Sequence, residues 1–123
     1  MTDITPLITK ESQVITSYGN GGFNISGRRY DSSVIVFPDK VIPWNIGTEV
    51  LPEDFSEIIA AKEKVEILLF GSGEKMIFPT PEISRILRAS GIALEVMDTG
   101  AACRTYNILL AEERKVAAAL RVV

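Results

Sequence analysis

Apolar residues along this chain fall into short runs separated by glycine, proline and charged clusters, and the rhythm within each run predicts its structure. Val65-Glu66-Ile67-Leu68-Leu69-Phe70 is nearly unbroken, the pattern of a strand covered on both faces. Gly71-Ser72-Gly73 stops it. Thr80-Pro81-Glu82 opens a helix with a cap, a first-turn proline and an acid at the positive end of the dipole. Ile83, Ile86 and Leu87 then recur on one face of that helix, and Gly91 closes it. Ile92 to Met97 reads as a second buried strand. Asp98-Thr99-Gly100 starts another helix, which runs to about Ala111 on Ala102, Cys103, Tyr106, Leu109 and Leu110. The turns at 71–73 and 98–100 are therefore expected side by side at the carboxyl ends of two parallel strands, where open α/β sheets place ligands.

The first half of the chain is richer in strands. Residues 1–12 read as a loose polar lead-in. Gln13 to Tyr18 and Phe23 to Ser26 form a hairpin through Gly19-Asn20-Gly21-Gly22, a turn of residues that accept positive φ. Ser33 to Phe37 pairs with Lys40 to Trp44 around Pro38-Asp39, and Pro43 marks the second run as an edge strand or its end. Leu51-Pro52-Glu53-Asp54 begins a helix with Phe55, Ile58 and Ile59 on its buried face, and Lys62-Glu63-Lys64 is its solvated exit. In the tail, alanine favours helix, yet Val116, Ala118, Leu120 and Val122 alternate and the chain finishes β-branched. A strand antiparallel to its neighbour is the prediction. The sum is one compact α/β (α+β) domain over residues 1–123: N-terminal β-hairpins plus a βαβ unit, a mixed sheet, about three helices and a C-terminal strand.

Composition narrows the function classes. A chain of 123 residues, 46% hydrophobic and 24% charged, suits one domain that buries roughly two-thirds of its unfolded surface. The net charge of −3 and the absence of any basic run beyond Arg28-Arg29 argue against nucleic acid as a partner. No apolar run approaches the roughly 20 residues a membrane helix needs. The start, MTDITPLITKES, has the pattern of neither a signal nor a transit peptide. With one cysteine there is no internal disulfide, and the reading is cytoplasmic. The absence of histidine decides most. It removes Ser-His-Asp and Cys-His nucleophiles and histidine zinc sites, and a lone Cys103 removes thiolate-rich metal sites. No metal and no cofactor is expected.

The candidate site residues follow from the paired turns. Gly71, Ser72 and Gly73 resemble a phosphate loop, but six residues separate them from the helix cap, and the spacing fits neither a dinucleotide fingerprint nor a P-loop. Their amides hold an anion, or the glycines serve geometry alone. Asp98, Thr99 and Gly100 place small residues and free amides at a helix start, with Thr99 as its natural N-cap. Arg104, Thr105 and Asn107 are polar in an otherwise apolar helix; Arg104 suits an anionic ligand or acidic partner, pairs with Asp98, or faces solvent. Cys103 lies near the dipole and Arg104, the setting of a reactive thiol, yet also on the apolar helix face, the setting of an inert one. Trp44 is a partner anchor or a lid on the core. No two acids form a catalytic couple.

Three stretches carry a resemblance: SVIVFPDKVIPW, ILLFGSGEKMIFP and, most specifically, VMDTGAACRTYNILLAEERKVAAAL. Over about residues 12–121 the chain resembles the small-domain family of unknown function that includes mitochondrial NADH dehydrogenase (complex I) assembly factor 3 and the adipogenesis-associated domain protein. The resemblance implies a compact α/β fold with a mixed sheet and no established catalytic activity. In the mitochondrial branch it implies a chaperone-like role in building a respiratory complex. Without a transit-peptide pattern, this chain looks like a bacterial member. The leading expectation is a non-enzymatic, assembly-factor-like interaction domain with a protein partner or a self-associated form. The alternative is a small-molecule or anion-binding domain, at its furthest an enzyme, with a pocket at the turns 71–73 and 98–104.

Overall fold

Two sheets and three helices make up the computed structural model, which describes residues 12–123. The first three strands, β1 (Ile15–Gly19), β2 (Gly22–Ile25) and β3 (Arg28–Tyr30), form an antiparallel meander. The hairpin through Gly19–Gly22 is the expected one. β3 was not anticipated, because Arg28-Arg29-Tyr30 has no apolar alternation; pairing with β2, Phe23 opposite Tyr30, makes it a strand. The lead-in read over residues 1–12 lies, apart from Ser12, outside the described residues.

The second sheet carries the architecture. It comprises β4 (Val34–Phe37), β5 (Lys40–Pro43), β6 (Ile67–Gly71), β7 (Ala93–Met97) and β8 (Val116–Leu120), in the order β5-β4-β8-β6-β7. β8 runs antiparallel to β4 and parallel to β6, so the tail strand is the centre of the mixed sheet. Its alternation is explicit. Val116, Ala118 and Leu120 enter one core, and Ala117 and Ala119 enter the other. A strand with a neighbour on each side and a layer on each face has no polar position, which is why VAAAL, between Lys115 and Arg121, carries no polar residue.

The βαβ unit is present, with one correction. β6 and β7 are parallel, Leu69 opposite Glu95, but β7 is the sheet edge, and Ala93 and Glu95 are exposed. It is not the buried strand its apolar residues suggested; Glu95 is the residue that marks the open face. Helices α1 (Ser56–Ala60) and α2 (Pro81–Ala89) cover one side of the sheet. Between Pro52 and Phe55 the chain makes a 3-10 turn first, so the helix predicted from Leu51 has only five α-helical residues. Phe55, Ile58, Ile83 and Leu87 are buried on that side around Trp44 and Phe70. Helix α3 (Thr99–Ala111) and the three-stranded meander cover the other side through Ala102, Cys103, Tyr106, Phe23 and Ile25. Each fully buried Ile, Leu or Phe contributes about 1.5–3 kcal/mol. Among the described residues no helix is long and apolar enough to cross a membrane.

Candidate functional site

The two turns do meet, and they are stitched together. Gly71 pairs with Met97 in the parallel register. A Cβ on Gly71 would lie 2.9 Å from the Thr99 Cα, so only glycine allows this approach. Ser72 N–H donates to the Met97 carbonyl at 3.0 Å, and Thr99 N–H donates to the Gly73 carbonyl at 2.8 Å. Gly73 N–H donates to Thr99 Oγ1 at 2.9 Å, and that hydroxyl donates to the Arg121 carbonyl at 2.8 Å. Thr99 is fully buried and ties the ends of β6, β7 and β8 into one knot. It is not the N-cap. Asp98 caps α3, accepting from Ala101 N–H at 2.9 Å, and Thr99 is the first helical residue. The cap shifts because the Thr99 hydroxyl has two better-placed partners across the turn.

This wiring takes up three of the amides an anion would use. The amides of Ser72, Gly73 and Thr99 already donate within the chain. A shallow cleft beside them is lined by Tyr18, Glu74, Asp98, Gly100 and Arg104, two carboxylates against one guanidinium. Arg104 is exposed and donates through Nη1 to Tyr18 Oη at 2.6 Å.

Asn107, Cys103 and Tyr106 of α3 face inward, and Thr105 is half-buried. Asn107 is buried; its Oδ1 accepts from Ile15 N–H at 3.1 Å and its Nδ2 donates to the Ile15 carbonyl at 2.7 Å. That pair of bonds completes the backbone of β1 against the helix. Cys103 is fully buried, and burial pushes its thiol up to about 12, against the smaller lowering influence of Arg104. At neutral pH it is a protonated, inert thiol. Burial, with Asp39 adding, likewise raises Tyr106, whose hydroxyl has no hydrogen-bond partner among the described residues. Trp44 is 5% exposed, donates through Nε1 to the Asp54 carbonyl at 2.8 Å, and meets Phe55 and Phe70 edge-on at 5.6 and 6.0 Å between centroids. The structure places it as a lid on the core. It also lies across the sheet from Asn107, so the nine residues singled out do not form one site.

What the turn does present is a loop. Ser72 Oγ donates to the Lys75 carbonyl at 2.6 Å and accepts from Ile77 N–H at 2.8 Å, fixing residues 72–77 into one shape. Held outward on it are Met76, Ile77 and Phe78, 54%, 62% and 69% exposed, the largest contiguous apolar exposure among the described residues. A cavity of about 130 Å³ opens beside them, lined by Thr48, Val50, Phe70, Ile77, Phe78 and Arg121. Arg121 donates to the Gly47 and Thr48 carbonyls at 3.0 and 3.1 Å and so secures the cavity's far wall. Leu51, next to Val50 in the chain, is 49% exposed. Sequence reasoning passed over this loop as the spacer between the glycine turn and the helix cap. The signal was there: three apolar residues between a glycine turn and a proline cap, too few for a strand and outside any helix period.

Comparison with known proteins bears on this geometry. Residues 15–121 match a family described as a protein of unknown function (DUF498/DUF598). The mouse (Mus musculus) NADH dehydrogenase [ubiquinone] 1 alpha subcomplex assembly factor 3 is 37% identical over 108 residues, covering 86% of this chain and 58% of that protein. The Bos taurus protein of the same name is 35% identical over 93% of this chain and 65% of its own length. The chain thus spans about three-fifths of the curated relatives it matches. A crystal structure described as an outer membrane protein from Bartonella henselae superposes with a TM-score of 0.86 at 35% identity, covering 93% of this chain and 98% of that one.

Proposed function

The chain belongs to the DUF498/DUF598 family, and on that footing we propose that it is a non-enzymatic protein-interaction domain that attends the assembly of a larger complex. The observation that carries the reading is the loop of Met76, Ile77 and Phe78, solvent-facing and pinned by Ser72. A loop backbone fixed in place before binding loses little conformational entropy on contact, a property that suits interface anchors. The relatives named as assembly factors of NADH dehydrogenase supply the class of partner, a subunit of a multi-protein complex, with the respiratory NADH dehydrogenase as the nearest instance. Support for non-enzymatic action comes from the site itself. Its titratable groups form no acid–base pair, and the one thiol is buried.

An anion- or small-molecule-binding reading finds less support, because the amides of Ser72, Gly73 and Thr99 already donate within the chain. The test is co-purification of tagged wild-type chain and an Ile77→Asp/Phe78→Asp variant from the cells that make the protein. A stoichiometric partner held by the wild type and lost by a variant with an unchanged melting profile supports the reading. A wild-type chain that purifies alone, or a partner retained by the variant, overturns it.

A further inference from the structure

The apolar loop is rimmed by charge, and the sign of that charge specifies a partner. Glu74 precedes the apolar triplet, Glu82 lies in the first turn of α2 just beyond it, and Glu49 lines the cavity with Ile77 and Phe78. All three carboxylates are exposed, and none joins an ion pair among the described residues. Lys75 and Arg121 stand against them; Arg121 keeps its charge but is turned to the Gly47 and Thr48 carbonyls, so three carboxylates against two cations leave the rim net negative.

We propose that this surface receives an apolar protein segment flanked by basic residues. The inference rests on the protein-interaction reading above and adds the chemistry of the partner. Apolar side chains enter beside Phe78 and over the cavity, and Lys or Arg at the ends of the segment meet Glu49, Glu74 and Glu82. A second copy of the chain is disfavoured as occupant, because two facing loops bring Glu74 and Glu82 against their own counterparts. An anionic bilayer is disfavoured by the same sign. The rim carboxylates are solvated, so their contribution is to encounter rate and choice of partner, and it falls with salt.

The experiment uses two labelled peptides of about 14 residues with one shared Leu/Phe/Ala centre, one ending in lysines and one in glutamates. Fluorescence anisotropy is read at roughly 50 mM and roughly 300 mM salt against the wild type, Phe78→Ser and Glu74→Gln/Glu82→Gln. The expected result is about tenfold tighter binding of the lysine-ended peptide at low salt, shrinking at high salt. Phe78→Ser should abolish binding of both peptides, and the glutamine pair should remove most of the preference. Equal binding of the two peptides to the wild type overturns the inference, while continued dependence on Phe78 leaves the interaction reading standing. Binding indifferent to Phe78→Ser, or no binding of either peptide, overturns the inference through the loop itself. Flotation with phosphatidylserine vesicles, or a Phe78-dependent dimer in light scattering, overturns it in favour of a bilayer or a second copy.

Discussion

Two regions at the same end of the central sheet are built on opposite principles. At Thr99 the polar groups are turned inward: its hydroxyl and amide, with the amides and carbonyls of the neighbouring turns, bond one another across three strand ends. A few residues beyond Gly73 along the chain, at Met76–Phe78, the apolar side chains are turned outward. The residue types that usually signal chemistry are thus occupied in holding the fold, and residues without chemistry form the free surface. Ser72 joins the two regions, with its amide in the knot and its hydroxyl shaping the loop. For this domain, polar residues at a strand end mark rigidity, and the rigidity is what lets an apolar loop stand in water without collapsing onto the core.

The contrast is broken hardest at Asn107. Replacing it with leucine removes both bonds to Ile15 and leaves a buried N–H and carbonyl without partners. The expected loss is roughly 3 kcal/mol in urea unfolding. A loss below about 1 kcal/mol would mean that water reaches Ile15 and that the α3 polar residues are not structural.

Alkaline pH probes the same inward-facing helix. The Cys103 thiol is raised from 9.0 to about 12 by burial, so the folded chain keeps a proton that the unfolded chain releases. Its contribution is fully present below pH 9 and is lost as pH rises toward 12, at about 1.4 kcal/mol per pH unit for one proton. Tyr106, also raised by burial, steepens the loss above its ordinary value of 10. Chemical denaturation from pH 8 to 11 on the wild type and Cys103→Ala measures the difference. An identical slope in the two proteins would show that the thiol is not buried in solution.

Much of this was legible beforehand, and the physical reason differs by element. The alternation of β8, the glycine-rich hairpin and the proline-edged β5 each depend on nearest neighbours along the chain, and each appeared where the pattern put it. What the sequence hid depends on contacts distant in the chain. β7 is apolar yet lies at an edge, because strand order is set by β8 entering between β4 and β6. Thr99 looked like a cap, because its partners Gly73 and Arg121 are more than 20 residues away on either side. Trp44 read equally as anchor or lid until Phe55 and Phe70 closed around it. The loop of Met76–Phe78 left only a faint local trace, three apolar residues outside any strand or helix period, because exposure itself is a property of what fails to pack.

Two glycines sharpen the contrast at smaller scale. In Gly71→Ala the new methyl meets the Thr99 backbone at 2.9 Å and Leu120 at 3.0 Å, inside the knot, and about 2 kcal/mol of stability should be lost. In Gly100→Ala the nearest atom, at 2.7 Å, is the hydroxyl at the tip of the half-exposed Tyr18, which can swing away. The helical preference for alanine offsets the displacement, so the change should stay within about 0.5 kcal/mol. Paired urea curves decide it. Equal costs would mean that the knot is no tighter than the surface cleft.

The smallest expected effect on stability is also the most informative about function. Phe78 is the most exposed large apolar residue among those described, so Phe78→Ser removes little intramolecular packing. The unfolding free energy should move by no more than about 0.5 kcal/mol. An ordinary core phenylalanine behaves oppositely, costing about 3–5 kcal/mol on truncation to alanine; Phe70, beneath the cavity and 2% exposed, is the internal control. A near-zero cost at Phe78 beside a large one at Phe70 means that the fold gives no reason for an aromatic side chain at position 78. The reason must then lie outside the chain, in whatever the loop contacts. If Phe78→Ser instead lowers stability by more than about 1 kcal/mol, the ring packs onto the domain in solution, and the outward-facing half of the comparison fails.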